Sequence, residues 1–115
     1  MGMMVSINEE EGFVTSGGVF DCIVENTRLL FTEDQKGCVW EIYKTLDEQG
    51  QSFIVLDYVD ADCFNLFYRH CEAAMKAFPE SERGKIPPPS HIPGILWNWS
   101  EVLRLMREDP RYRPV

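Results

Sequence analysis

Hydrophobic positions along the chain change period several times, and each change marks an element. Phe53-Ile54-Val55-Leu56 is a short apolar run rich in β-branched residues, the pattern of a buried strand. After Asp57-Tyr58-Val59-Asp60 the period becomes helical. Spacing at about 100° per residue puts Cys63, Leu66, Phe67, His70, Ala74, Ala77 and Phe78 on one side of a helix over 61–78. Asn65, Arg69, Glu72 and Lys76 fall on the other, and Asp60 or Asp62 supplies a cap that accepts from free first-turn N–H groups. Pro79 ends it.

Thr32-Glu33-Asp34-Gln35 writes a second helix start: a capping threonine, a glutamine at the capping-box position and two acids suited to the positive end of the dipole. The pattern predicts a helix over 33–49 stopped by Gly50, with Cys38, Val39, Ile42 and Leu46 inward and Tyr43 at the edge. Trp40 breaks this pattern. It falls among Glu33, Lys36, Glu41, Lys44 and Asp47 on the polar side.

Toward the N-terminus the periods are shorter. Met3–Asn8 reads as a first strand, and Glu9-Glu10-Glu11-Gly12 as a solvated turn. Phe13–Thr15 and Val19–Val24 flank Ser16-Gly17-Gly18, which reads as a hairpin. Val19, Ile23 and Leu30 also fit a helical spacing, so Val19–Leu30 as a helix competes with that reading. Downstream, 79–99 shows little regular period and contains Ile86-Pro87-Pro88-Pro89, so it reads as a long Pro-rich loop whose second half docks through Ile92, Ile95, Leu96, Trp97 and Trp99. Ser100 caps a short helix over 101–109 that stops at Pro110, and 111–115 reads as a loose basic tail. The expected fold is α+β, one domain over 1–115. It has a small, mainly antiparallel sheet packed against two main helices, with the long loop and a short C-terminal helix.

Composition adds little to this fold but limits function. The chain has 115 residues, 44% hydrophobic and 26% charged, enough for a core. No apolar run is long enough to span a membrane, and the N-terminus lacks the pattern of a secretory signal. Met1-Gly2 with Ser6 matches a loose myristoylation pattern that recurs by chance. The expected location is cytoplasmic, and there the four cysteines read as reduced thiols.

Net charge is −8, unevenly spread. Residues 1–62 hold 13 of the 19 acidic side chains and only Arg28, Lys36 and Lys44 as bases, while 63–115 are slightly basic. An acidic half repels nucleic acid and anionic membrane and suits a basic protein partner, although acidic charge also simply maintains solubility.

Candidate chemistry is sparse. Cys63, His70 and Cys71 lie within eight residues, but no close C-x₂₋₄-C pair accompanies them, so no metal or other cofactor is expected. No nucleophile elbow or phosphate-binding glycine loop occurs, and Asp57, Asp60 and Asp62 sit where a cap and a solvated turn explain them. What remains is recognition by an aromatic anchor among charges. The candidate partner-binding residues are Trp40, Glu33, Glu41, Lys44, Asp47, Trp97 and Trp99. The chain therefore reads as a non-enzymatic acidic inhibitor of immunity or antitoxin type. Its one specific, basic partner would be a nuclease-like toxin whose substrate site it covers. The alternatives are a small metal protein or enzyme using Cys63, His70 and Cys71, or an adaptor subunit of a larger assembly.

Overall fold

Ser16 redirects the N-terminal third of the chain. In the computed structural model, which describes residues 2–114, its hydroxyl accepts from Val19 N at 3.4 Å and starts helix α1, Gly17–Arg28. The expected Val19–Val24 strand is therefore the body of a helix, and the competing helical spacing prevails. Phe20, Ile23, Val24 and Thr27 recur at helical intervals and are all buried. Buried β-branched residues belong as well to a packed helix as to a strand, and the cap decides between them.

The hairpin lies one element earlier, between β1 (Met3–Ser6) and β2 (Gly12–Thr15). The acidic run forms its turn, where the Asn8 side-chain oxygen accepts from the N–H groups of Glu10 and Glu11 at 2.9 Å. β1 pairs antiparallel with β2, Met3 opposite Thr15, and parallel with β3 (Phe53–Val55), Val5 beside Ile54. The sheet order is β2-β1-β3, so the sheet is mixed rather than mainly antiparallel. A parallel partner needs a long crossover, and α1 and α2 supply it.

The second helix begins as a 3-10 turn at Glu33–Gln35 and continues as α2, Lys36–Asp47. Thr32 N donates to the Gln35 side chain at 3.0 Å, the box read in the sequence. Ile42, Tyr43 and Thr45 are its buried residues, and it packs along β3. Helix α3, Ala61–Ala77, is capped by Asp60, whose carboxylate accepts from Cys63 N at 2.8 Å. Its phase differs from the expected one. Phe64, Phe67, Tyr68, Cys71 and Ala74 are buried, Cys63, Leu66 and His70 are only half-buried, and Ala77 is exposed. α3 is gripped by both α1 and α4, so two inward faces replace the single stripe the periodicity assumes.

The expected loop over 79–99 is largely ordered backbone. Three 3-10 turns, Phe78–Glu80, Arg83–Lys85 and Pro89–His91, lead into α4, Ile92–Arg107. Among the described residues, four α-helices rather than two main ones accompany the sheet. α4 is far longer than the expected 101–109 because Pro93 sits in its first turn, where a missing N–H costs nothing. Gly84 is needed in this segment: a Cβ there would lie 1.8 Å from the Phe78 carbonyl oxygen.

Residues 111–113 are tied down rather than loose; Met1, which opens the myristoylation pattern, and Val115 lie outside the described residues. The Arg111 guanidinium donates to the carbonyls of Leu56, Val59 and Ile7 at 2.6, 2.9 and 2.9 Å. It also pairs with Asp109 and stacks over Phe64, 4.2 Å from the ring centre. Arg113 N donates to Asn65 Oδ1 at 2.7 Å. Among the described residues no helix is long and apolar enough to cross a membrane.

Candidate protein-binding surfaces

α2 turns its unburied side outward at one edge of the sheet, and Trp40 stands in the middle of that side, 54% exposed. The helical phase explains its position: Ile42 and Tyr43 are turned into the core, Tyr43 against Val24 and Phe67, which rotates residue 40 away from it. Lys44 Nζ lies 4.6 Å from the Trp40 ring centre, a cation–π contact that holds the indole against the helix, and bonds to Glu41 at 3.3 Å. Glu33 pairs with Lys36 at 3.5 Å in the preceding turn. Asp47, two turns on, accepts from Arg28 of α1 at 3.0 Å, and Arg28 stacks 4.0 Å over the buried Tyr43 ring. Trp40, Glu33, Glu41, Lys44 and Asp47 thus form one continuous face. Its Glu33–Lys36 and Glu41–Lys44 pairs are exposed and worth little to stability.

The other two tryptophans do not join it. Trp97 is 59% exposed on α4, where it packs against Phe13 of β2 with ring centres 6.5 Å apart. α4 lies along β2 and α2 along β3, the two opposite edges of the sheet. Trp99 is fully buried; its indole donates to the Cys71 carbonyl at 3.0 Å and its ring lies 5.4 Å from Phe78. It is a core residue and leaves the candidate set. Its helical position two places after Trp97 puts the two on different faces of α4, which the loop reading of 79–99 could not reveal.

The cysteine–histidine alternative does not assemble. Cys63 is bonded to Cys38, across a Cα separation of 5.4 Å that suits a disulfide. The four-thiol expectation is corrected accordingly; only Cys22 and Cys71 remain free. Cys71 is fully buried, and burial pushes its thiol up to about 12, so it holds its proton and makes a poor ligand or nucleophile. His70 is half-buried, with Nε2 3.0 Å from the Gln35 side-chain oxygen and the Phe31 ring edge-on at 4.7 Å. Burial, then Arg69, lowers its pKa, favouring the neutral ring. Among the described residues no three His, Cys, Asp or Glu side chains converge as a metal site. Of the aspartates, Asp57 accepts from Ser6 at 2.5 Å, Asp60 caps α3 and Asp62 pairs with Arg113.

One feature escaped the sequence pattern. A groove of about 1100 Å³ runs between α1 and the segment Arg83–Asn98. Asp21 and Glu25 on one wall face Arg83 and His91 on the other, and Ile86 and Ile95 supply apolar surface. Acidic and basic walls offset each other, so its charge selects no ligand class. It became visible only when 92–98 proved helical.

No protein-family model matches the chain, and no curated protein matches it. Among solved structures, a chain in the complex of the CdiA-CT toxin from Burkholderia pseudomallei E479 with its cognate CdiI immunity protein has the same fold. The likeness has a TM-score of 0.81 at 21% identity and covers 95% of this chain and 97% of that one; the similar chain is the immunity protein. At this identity the likeness shows a shared fold.

Proposed function

We propose that the chain is an immunity-type protein that binds one specific toxin and neutralises it. The observation that carries this reading is the near-complete fold likeness to an immunity protein solved together with its toxin. Three features of the chain support it independently. The first half is strongly acidic, α2 presents a half-exposed tryptophan among charges, and Cys63 of the metal or enzyme alternative is spent in a disulfide. The partner is basic, with a nuclease-like substrate site that the α2 face covers. An acidic face speeds encounter with such a partner, and a desolvated indole slows dissociation. The protein is not an enzyme in this reading, and it acts in the cell it protects.

The test is growth rescue paired with calorimetry. Toxin domains from the source genome are expressed with and without this chain, and a rescued toxin is titrated at low and high salt. Rescue by one toxin, with affinity falling as salt screens the charges, is expected. Rescue with salt-indifferent affinity would remove the acidic-face mechanism; rescue from none of them would sink the immunity reading.

A further inference from the structure

We propose that the Cys38–Cys63 bond is a redox latch that holds the first half of α2, and with it Trp40, in its binding posture. The consequence for binding rests on the immunity reading; the latch itself does not. Hydrophobic burial fixes this part of the helix only in part, through half-buried Val39. Lys36, Gly37, Trp40 and Glu41 are exposed, Cys38 and Val39 are only half-buried, and the first fully buried side chain is Ile42. Gly37 weakens the turn further, since a Cβ there would meet no neighbour and glycine lowers helix stability. The ties of this segment are partial packing of Val39 against the core, the contact of the preceding Gln35 with His70 at 3.0 Å, and the bond to Cys63.

The far end of the bond is firmly seated. Cys63 lies in the first turn of α3, its N–H held by the Asp60 cap, one residue before fully buried Phe64. The latch therefore joins a poorly anchored helix start to a well-anchored one. The second half of α2 has its own supports: Tyr43 donates to the Val24 carbonyl at 2.6 Å, and Asp47 pairs with Arg28. Loss of the bond frees 36–41 and leaves 42–47 in place.

A reductant can reach the bond. A cleft of about 520 Å³ beside it is lined by Cys38, Asp62, Leu66, Arg69 and Arg113. Arg113 is paired with Asp62, and the Arg69 guanidinium favours approach of an anionic thiolate. A dithiol reductant attacks one sulfur and forms a mixed disulfide; its second thiol then displaces the protein sulfur. The products are two cysteine thiols and one oxidised dithiol, a balanced transfer of two electrons and two protons. Neither Cys22 nor Cys71 lines this cleft.

Hydrogen exchange read by mass spectrometry tests the latch without a toxin. The oxidised protein, confirmed by intact mass, is compared with protein in excess dithiothreitol and with the Cys38→Ser/Cys63→Ser double variant. Amides of 37–41 should exchange about tenfold faster in both forms that lack the bond, with those of 67–74 unchanged, as in a local opening. Equal exchange at 37–41 in all forms would overturn the proposal. So would faster exchange throughout α3, which would make the bond a global staple, or absence of the bond after air oxidation. With a rescued toxin in hand, reduction should weaken binding about tenfold, and Trp40→Ala should abolish that redox difference. Redox-dependent exchange without any toxin that binds would retain the latch and discard the immunity reading.

Discussion

Replacing Arg111 with alanine should cost about 3 kcal/mol of folding stability, at the low end of the range for removing one member of a buried pair. The guanidinium makes five hydrogen bonds of 2.6–3.0 Å, three to backbone carbonyls and two to Asp109. Those carbonyls belong to Ile7, Leu56 and Val59, residues whose other atoms are packed in the core, and the Asp109 side chain is only 3% exposed. Truncation leaves the carbonyls without a donor and the carboxylate with Asn8 and the Arg111 N–H as its main partners. Full desolvation of all these groups would argue for a larger loss. Arg111 is itself 20% exposed, however, so water enters the vacated space and recovers part of it. Arg111→Lys should lose roughly half as much, because one ammonium cannot reproduce a planar fork. Urea unfolding followed by circular dichroism measures both. A loss below about 1 kcal/mol for Arg111→Ala would refute the reading that this side chain ties the C-terminal segment to the core carbonyls.

The Asp109 carboxyl is held down at about 2 by the Arg111 hydrogen bonds, against burial and with help from Asn8. Its folded value lies below the unfolded one of about 3.9, so its contribution is complete above about pH 5 and is lost as pH falls toward 2. Asp109→Asn should flatten the urea midpoint across that window. Trp40→Ala should weaken toxin binding by about 2 kcal/mol or more, yet move the unfolding midpoint by less than about 1 kcal/mol; calorimetry and urea titration separate the two. Gly84→Ala should destabilise by about 2 kcal/mol or more, since its Cβ meets the Phe78 carbonyl, whereas Gly94→Ala, with nothing within 4 Å, should be neutral or slightly stabilising in thermal unfolding.

Local signals in the sequence were good guides where a side chain meets its own backbone. The Thr32–Gln35 box, the Asp60 cap and the acidic turn before Gly12 all form as read. Signals that depend on what an element packs against were weaker. Val19–Val24 looks β-prone because its side chains are branched, but Ser16 caps it as a helix packed mainly on α3. Pro93 looks like a breaker until the helix is seen to begin at Ile92. On α2 the spacing left Trp40 exposed, as it is, but Tyr43, expected at the edge, and Thr45 are buried, while Cys38, Val39 and Leu46 are only half-buried. Trp99 was misplaced with the loop that was thought to carry it. Nothing in the spacing could pair Cys38 with Cys63, or Arg111 with Ile7, 104 positions away.

The three tryptophans occupy three different environments, and this makes the protein its own optical instrument. Trp99, sealed beside Phe78, should emit at short wavelength and report loss of the core. Trp40, in water under the Lys44 ammonium, should emit at long wavelength and shift when a partner excludes solvent. Trp97, on the opposite sheet edge, can be replaced by phenylalanine to simplify the spectrum. A single emission scan would then follow folding through one indole and docking through the other, with no dye attached.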